Sequence, residues 1–154
     1  MTVDGVQGAT WKEFNRLYHQ FTALYREIAV RMHLSDSAFL ILYSLFELGE
    51  GCSQKDICTL VCLNKQTVHS SVRKLEKDGY LRFVPGAGRV VGIYLTDDGK
   101  KLMEKTILPV VGAENHAFET MSSEEQKALL RSTGDYIALL RENIEKTLFP
   151  LLKD

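Results

Sequence analysis

Apolar residues recur every three or four positions over most of this chain, the spacing that places them on one face of an α-helix. The first run follows Thr10 and Glu13, a pair spaced to form a capping box. A second run begins near Ser35 and stops at Gly49, a residue type that commonly ends helices. The sequence therefore predicts two consecutive helices, the first apolar over a broad face and the second filling the core.

Two further helical runs occupy the C-terminal part of the chain. One starts at a Thr96 cap and continues to about Thr120, with a bend expected at Pro109 because proline cannot donate a backbone hydrogen bond. Ser122 and Glu125 then begin a last helix. This helix carries more apolar side chains than a surface helix needs, so we expect it to meet a partner.

Between these runs the pattern predicts two short helices joined by a tight turn. Ser53 and Asp56 form a capping-box-like pair at the start of the first, and Asn64 caps the second. After Gly79 the pattern changes from helical to β-like. Residues 80–84 and 90–95 are rich in β-branched and aromatic side chains and predict two strands, and residues 85–89 predict the hairpin loop between them.

The second short helix is amphipathic. Val68, Val72 and Leu75 lie at i, i+4 and i+7 and predict a buried stripe, which leaves basic and polar side chains outside. Such side chains contact base edges and phosphates in DNA, and the start of the second helix of a helix-turn-helix meets the bases. We therefore predict base contacts from Lys65, Gln66, His69 and Ser70, and phosphate contacts from Arg73 and Lys77. Arg89 at the loop tip is a candidate for minor-groove insertion, with a solvated loop arginine as the alternative.

This segment resembles the MarR family of winged-helix transcriptional regulators. The resemblance rests on residues 64–68 and 73–81, which look like that family's recognition helix and the start of its wing, and on Arg89 and residues 95–99. It implies a mainly α (α+β) fold, namely a winged helix-turn-helix with a small β-hairpin wing and long N- and C-terminal helices forming a dimerisation region. It also implies a sequence-specific DNA-binding regulator, a repressor, with no catalysis. The implied DNA-binding residues are Lys65, Gln66, Thr67, His69, Ser70, Arg73, Lys77 and Arg89.

Charge is unevenly distributed along the chain. The 154 residues carry a net charge of −1 and are 45% hydrophobic, a normal composition for one domain with a sizeable core. Residues 53–105 hold ten basic and six acidic side chains, a net charge of +4, and the remainder carries −5. A basic segment on an acidic body predicts phosphate contacts and DNA binding that weakens as salt rises.

The sequence is expected to form one domain over residues 1–154. The winged module occupies residues 35–105, and the dimerisation helices occupy residues 10–34 and 106–152. A homodimer joined through those helices buries their apolar faces and places two recognition helices about 34 Å apart on a palindrome. The alternative is that the same faces close one larger monomeric core.

The resemblance further implies a small-molecule cleft between the dimerisation helices and the winged module. Aromatic and imidazole side chains offer stacking and hydrogen bonds to a phenolic or anionic ligand. The alternative is that the tyrosines are core residues with their hydroxyls at the surface. The candidates are Tyr18, His19, Phe21, Tyr25, Tyr43 and His116.

Cys52, Cys58 and Cys62 lie within eleven positions and form no CxxC motif. This pattern favours reduced thiols that pack as small apolar groups, and a thiol-based redox sensor is the alternative. The four histidines show no ligand spacing near the cysteines, so we predict no metal and no cofactor.

The remaining function classes find little support in the sequence. No nucleophile, phosphate-loop or zinc-protease motif is present, so we predict that the chain is not an enzyme. A winged-helix adaptor that binds protein without binding DNA is the other alternative, and the basic helix face counts against it. With no targeting peptide and no apolar run long enough to cross a membrane, the predicted location is the cytoplasm.

Overall fold

The computed structural model describes residues 8–86 and 91–152, whose regular secondary structure is helical except for one β-hairpin. In chain order the elements are α1 (Ala9–Arg31), α2 (Asp36–Leu48), α3 (Gln54–Val61), α4 (Lys65–Lys77), β1 (Leu81–Pro85), β2 (Val91–Leu95), α5 (Asp97–Lys105), α6 (Ile107–Thr120) and α7 (Ser123–Asn143). A π-helical turn at Ile144–Leu148 and a 3₁₀ turn at Phe149–Leu152 follow α7. The chain divides into two compact units, Met1–Pro109 and Val110–Asp154.

The core of the first unit is built around α2. This helix buries six of its side chains, because apolar and small residues occupy nearly all of its inner positions. Helices α1, α3 and α4 pack on it, and α4 also contacts β1. The apolar core residues of this unit that are at most 3% exposed are Ala29, Phe39, Ile41, Leu42, Leu45, Ile57, Val68, Val72, Leu75, Leu81, Ile93 and Ile107.

Side-chain caps fix the start of most helices where the sequence places them. Ser35, Asn64 and Thr96 each accept a hydrogen bond from a backbone N–H in the first turn of α2, α4 and α5. Ser53 with Asp56 and Ser122 with Glu125 form complete capping boxes at α3 and α7. The four predicted caps at α3, α4, α5 and α7 are confirmed, and Ser35, predicted only as the approximate start of α2, is its cap.

The predicted capping box of Thr10 and Glu13 is wrong. Helix α1 begins at Ala9, after Gly8, and no side chain caps it. The Glu13 carboxylate instead accepts hydrogen bonds from the Arg16 guanidinium at 2.6 and 2.9 Å. An i, i+3 ion pair thus takes the carboxylate that the cap requires.

The predicted bend at Pro109 is in fact a break three residues earlier. Helix α5 ends at Lys105, and Thr106 takes a φ of −118° and a ψ of −72° before α6 begins at Ile107. Proline at position 109 has no N–H to donate to the carbonyl of Lys105, so the hydrogen-bond ladder stops there. At the end of α5, the Thr106 hydroxyl and the Thr106 N–H both donate to the Leu102 carbonyl, at 2.6 and 3.0 Å.

The hairpin is antiparallel, with Leu81 opposite Leu95 and Pro85 opposite Val91. The second strand falls within its predicted segment, with Val90 outside the described residues, whereas the first strand includes Pro85, which was predicted to lie in the loop. A third stretch of backbone pairs with β2, which the sequence analysis did not predict. The Gly51 N–H donates to the Ile93 carbonyl at 2.7 Å, and the Ile93 N–H donates to the Cys52 carbonyl at 2.9 Å. The wing is therefore anchored to the segment that precedes α3.

The second unit is a helical hairpin. The Gln126 amide donates to the carbonyls of Phe118 and Met121 at the corner between α6 and α7. Helix α7 has no buried residue. Large apolar side chains of this unit are more than 40% exposed, namely Leu129, Leu130, Ile137, Leu139, Leu140, Leu148, Phe149, Leu151 and Leu152.

Candidate DNA interface

Helix α4 has one buried face and one polar face. Val68 and Val72 are fully buried and Leu75 is 3% exposed, which fixes the helix against the core of the first unit. The Asn64 side chain accepts hydrogen bonds from the Thr67 N–H at 2.8 Å and from the Thr67 hydroxyl at 3.0 Å. The first turn is therefore rigid, and its polar side chains project from a fixed backbone.

Seven of the eight predicted DNA-binding residues lie on this helix. Thr67 is half-buried because it takes part in the cap. The eighth, Arg89, lies outside the described residues. The exposed residues of the predicted set are Lys65, Gln66, His69, Ser70, Arg73 and Lys77.

Positive charge on this face is only partly neutralised. Among the described residues, Lys65, Lys74 and Lys77 make no ion pair. Arg73 differs, because its guanidinium bonds the Glu76 carboxylate at 2.7 Å and lies 4.7 Å from the centre of the Phe83 ring. This cation–π contact joins α4 to β1, so Arg73 has a structural role beside its predicted phosphate contact.

Two residues of this region were missed by the sequence analysis. Lys74 is exposed on α4 next to the predicted set, and only its position three residues before Lys77 could have indicated it. Gln54, the first residue of α3, contacts His69 across the helix-turn-helix, with 3.2 Å between the Gln54 Oε1 and the His69 Nδ1 atoms. Nothing in the local pattern predicts a contact across fifteen residues.

The predicted ligand residues divide into two groups. Phe21, Tyr25 and Tyr43 belong to one aromatic cluster that runs through the buried Phe39. The ring centres are 5.0 Å apart for Phe21 and Tyr25, 6.3 Å for Tyr25 and Phe39, and 6.0 Å for Phe39 and Tyr43. Such a cluster fits either of two roles, packing within the core or stacking against an aromatic ligand.

The other three candidates are exposed. Tyr18 is 57% exposed and meets His19 edge-on at 6.1 Å, and His19 lines an open groove along α1. His116 lies on α6 in the second unit.

A cavity of about 420 Å³ lies between the α1–α2 connection, the start of α2 and α4. None of the six predicted ligand residues lines it. The Ser71 hydroxyl donates to the Ser37 hydroxyl at 2.8 Å in its wall, and Lys74 and Asp78 also line the cavity.

The three cysteines differ in environment. Cys52 and Cys58 are half-buried, and Cys62 is exposed at the end of α3. Burial, and then the negative charge of Asp56, raises the pKa of the Cys52 thiol. A raised pKa lowers the thiolate fraction at neutral pH, which counts against Cys52 as a redox sensor.

In residues 8–86 and 91–152, no three His, Cys, Asp or Glu side chains cluster as a metal site would require. In the same residues no single helix has the length and apolar character to cross a bilayer; only α1 and α2 taken together do, and that pair is bent by 95°.

The arrangement of α3, α4 and the hairpin defines a winged helix-turn-helix protein. The described fold is similar to that of a MarR family regulator from Neisseria meningitidis, NMB1585, with a TM-score of 0.76 and 18% identity over 90% of this chain and 99% of that one. It is also similar to the Staphylococcus aureus MepR–DNA complex, with a TM-score of 0.68 and 20% identity over 82% of this chain and 93% of that one. The predicted fold class is confirmed.

The sequence of this chain is also similar to those of MarR family proteins. Residues 34–89 match the family model MarR_2, described as the MarR family. The chain is 32% identical over 130 residues to the HTH-type transcriptional regulator TtmR of Methylorubrum extorquens (strain PA1), which covers 82% of this chain. The chain spans 62% of that relative's length. The family match, the relative and the similar structures therefore agree with the MarR resemblance that the recognition-helix and wing residues predict.

Proposed function

We propose that this protein is a transcriptional regulator that binds double-stranded DNA in a sequence-specific manner, as a homodimer on a palindromic operator, and acts as a repressor. The observation that carries the proposal is that α4 has one buried apolar face and one exposed polar face. Its apolar face is fully buried at Val68 and Val72, while Lys65, Gln66 and His69 are exposed in the first two turns of this capped helix. Exposed basic and amide side chains at the start of such a helix fit base edges in a major groove.

Charge supports a nucleic-acid partner over a protein partner. Within residues 8–86 and 91–152, Lys65, Lys74 and Lys77 form no ion pair, and all three lie on one helix in a segment with a net charge of +4. A protein interface places aromatic anchors at its centre and depletes lysine there. The related fold seen in the MepR–DNA complex is that of a protein bound to DNA.

The test is selection of bound duplexes from a random pool, followed by titration of the selected duplex at several salt concentrations. We expect palindromes to be enriched and the affinity to fall steeply with salt. Lys65→Ala is expected to weaken binding and relax the selected sequence. Lys127→Ala is the matched control, since it removes one exposed lysine from α7. Failure to enrich any duplex would rule out DNA binding and leave the adaptor alternative.

Repression and location are finer parts of the same proposal. A reporter gene placed behind the selected palindrome is expected to be silenced when this protein is produced in the same cytoplasm. Increased reporter output would show an activator instead. Loss of silencing in Lys65→Ala would connect the effect to DNA binding.

Dimerisation is supported by exposed apolar surface on each unit. In the first unit α1 exposes large apolar side chains over much of its length, and in the second unit α7 buries none. Isolated exposed leucines are ordinary, but continuous apolar surface of this kind marks an interface. The residues exposed on α1 are Phe14, Leu17, Tyr18, Phe21, Leu24 and Val30.

An effector site is proposed at the aromatic cluster of Phe21, Tyr25 and Tyr43. These side chains combine ring faces with phenol hydroxyls, which suits a small aromatic ligand. We expect some aromatic acids in a panel to release the selected duplex, and Tyr43→Ala to abolish the release while leaving DNA affinity intact. A response that survives in Tyr43→Ala would place the ligand elsewhere.

A further inference from the structure

Gln54 and His69 form a hydrogen-bonded pair that connects the two helices of the helix-turn-helix. Gln54 is the first residue of α3, and its Oε1 atom lies 3.2 Å from the Nδ1 atom of His69 on α4. An amide oxygen carries no hydrogen and can only accept. The hydrogen of the pair therefore belongs to Nδ1 of the imidazole.

Neighbouring contacts fix the backbone on both sides of the pair. The capping box of Ser53 and Asp56 fixes the backbone next to Gln54, with the Ser53 N–H donating to the Asp56 carboxylate at 2.8 Å. His69 directly follows Val68, which is fully buried. The Gln54 side chain is half-buried, whereas His69 is exposed. One partner is anchored and the other reaches the surface.

This bond determines what His69 presents to a ligand. In a neutral imidazole with hydrogen on Nδ1, the Nε2 atom has a lone pair and accepts hydrogen bonds. The Nε2 atom is the ring nitrogen farther from the helix backbone, and it has no hydrogen-bond partner among the described residues. The opposite tautomer, or the imidazolium ion, presents a donor at the same place.

We propose that Gln54 is a positioning residue for sequence recognition, which locks His69 in the Nδ1–H tautomer so that Nε2 selects a base carrying an exocyclic amino group. In the major groove these groups are N4 of cytosine and N6 of adenine, whereas guanine presents only acceptors there. The inference rests on the proposed function, because it concerns the same face of α4. It assigns recognition to a residue on α3 that does not itself contact the base.

The tautomer is tested without DNA. Protein labelled with ¹⁵N-histidine is studied by NMR at about pH 8, where an ordinary histidine is neutral. The His69 signals are assigned by their absence in His69→Gln. We expect a protonated Nδ1 and an unprotonated Nε2 in the native chain, a shift toward the other tautomer in Gln54→Ala, and no change in Thr59→Ala, a control on the same helix. A native Nε2–H tautomer would overturn the inference.

Recognition is tested by duplex selection with the same variants. The native protein is expected to prefer cytosine or adenine over guanine by about fivefold at one position in each half-site, the scale of one hydrogen bond. Gln54→Ala is expected to lose that preference while its salt dependence stays unchanged. Gln54→Glu retains the acceptor for Nδ1–H and is expected to keep the preference at about pH 8.

The two tests separate this inference from the proposed function. If the native protein selects no duplex, the proposed function fails and the assignment of base recognition falls with it, whatever the tautomer. If it selects a palindrome and Gln54→Ala selects the same bases with the same preference, the proposed function stands and the role of Gln54 is refuted.

Discussion

At the scale of single residues, Thr96 and Gly99 join the hairpin to α5. The Thr96 hydroxyl donates to the Gly79 carbonyl at 2.5 Å and accepts from the Gly99 N–H at 3.0 Å. The Thr96 N–H donates to the Tyr80 carbonyl at 3.0 Å. These bonds draw the first turn of α5 against the backbone where β1 begins.

This close approach requires glycine at position 99. A Cβ atom there would lie 2.0 Å from the Tyr80 carbonyl oxygen, a backbone atom that cannot move aside. We expect Gly99→Ala to lower the free energy of unfolding by about 2 kcal/mol or more, as overpacking does. Urea unfolding followed by circular dichroism measures the change.

The control is Gly112→Ala, because a Cβ atom at that helical glycine meets nothing within 4 Å. It is expected to be neutral or to stabilise by up to about 1 kcal/mol, since alanine is the better helix former. Equal stability of the two variants would show that the hairpin and α5 are not in close contact at Gly99.

Cysteine reactivity is a second prediction at this scale. Because burial and the Asp56 charge raise the pKa of Cys52, its thiolate fraction at neutral pH is small and increases only as pH rises. We expect iodoacetamide to label the exposed Cys62 before Cys52 at about pH 7. Mass spectrometry of tryptic peptides at increasing pH follows both sites. Faster labelling of Cys52 at neutral pH would revive the redox-sensing alternative.

Some single-residue features were readable from the sequence and others were not. The burial of Val68 and Val72 follows from helical spacing alone, because one face of α4 must pack on the core. The contact of His69 with Gln54 and that of Arg73 with Phe83 depend on how separate elements pack. Local sequence patterns do not indicate such contacts. The sequence therefore predicted the exposed residues of the site, but not Gln54 and Phe83, which contact two of them.

At the scale of elements, helix starts were predictable because a cap needs only side chains within one turn. Ser53 with Asp56 and Ser122 with Glu125 form the expected boxes. The wrong prediction of a capping box at α1 also has a local cause. Glu13 has both Thr10 and Arg16 within one turn, and its carboxylate pairs with Arg16. Pairing of Gly51 with Ile93 was missed because strand register is a property of the folded chain.

The capping boxes predict a response to acid. Hydrogen bonds from the Ser53 N–H and hydroxyl lower the pKa of Asp56 below its ordinary value of 3.8. The stabilisation is therefore fully present above pH 3.8 and is lost as pH falls through the lowered pKa. We expect Asp56→Asn to be less stable than the native chain at neutral pH and to show a smaller loss between about pH 5 and pH 2.

Urea unfolding at several pH values measures that difference. Asp135→Asn is the matched control, because it removes an exposed carboxylate within α7 that caps no helix. It is expected to follow the native curve. An acid response of Asp56→Asn equal to that of the native chain would show that the α3 capping box does not contribute.

At the scale of the whole molecule, charge and apolar surface are separated along the chain. The segment 53–105 has a net charge of +4 and contains α4 and the wing, whereas the rest of the chain has a net charge of −5. Acidic surface disfavours close approach to DNA. The separation therefore favours contact with DNA through the segment that contains α4, and association through the apolar faces of α1 and α7.

The apolar face of α7 gives a test of association. Leu130 and Ile137 are seven residues apart on one face, 64% and 56% exposed in the single chain, and burying them is worth about 1.5–3 kcal/mol each. Leu130→Glu combined with Ile137→Glu is expected to convert a dimer into a monomer in sedimentation velocity. Lys127→Glu combined with Arg131→Glu introduces the same two glutamates at polar positions of α7 and is expected to remain dimeric.

Loss of the dimer should also weaken DNA binding. A dimer that contacts two linked half-sites has an apparent affinity about a hundredfold or more above that of a monomer on one half-site. We expect the monomeric variant to lose that factor on the selected palindrome while keeping the native affinity for a single half-site. Lys65→Ala is expected to lower the affinity for a single half-site, because it removes a contact in each one. Its sedimentation profile is expected to stay that of the native chain. A monomeric native chain, or a Leu130→Glu and Ile137→Glu variant that remains dimeric, would contradict assembly through this face of α7 and leave its apolar residues to another partner.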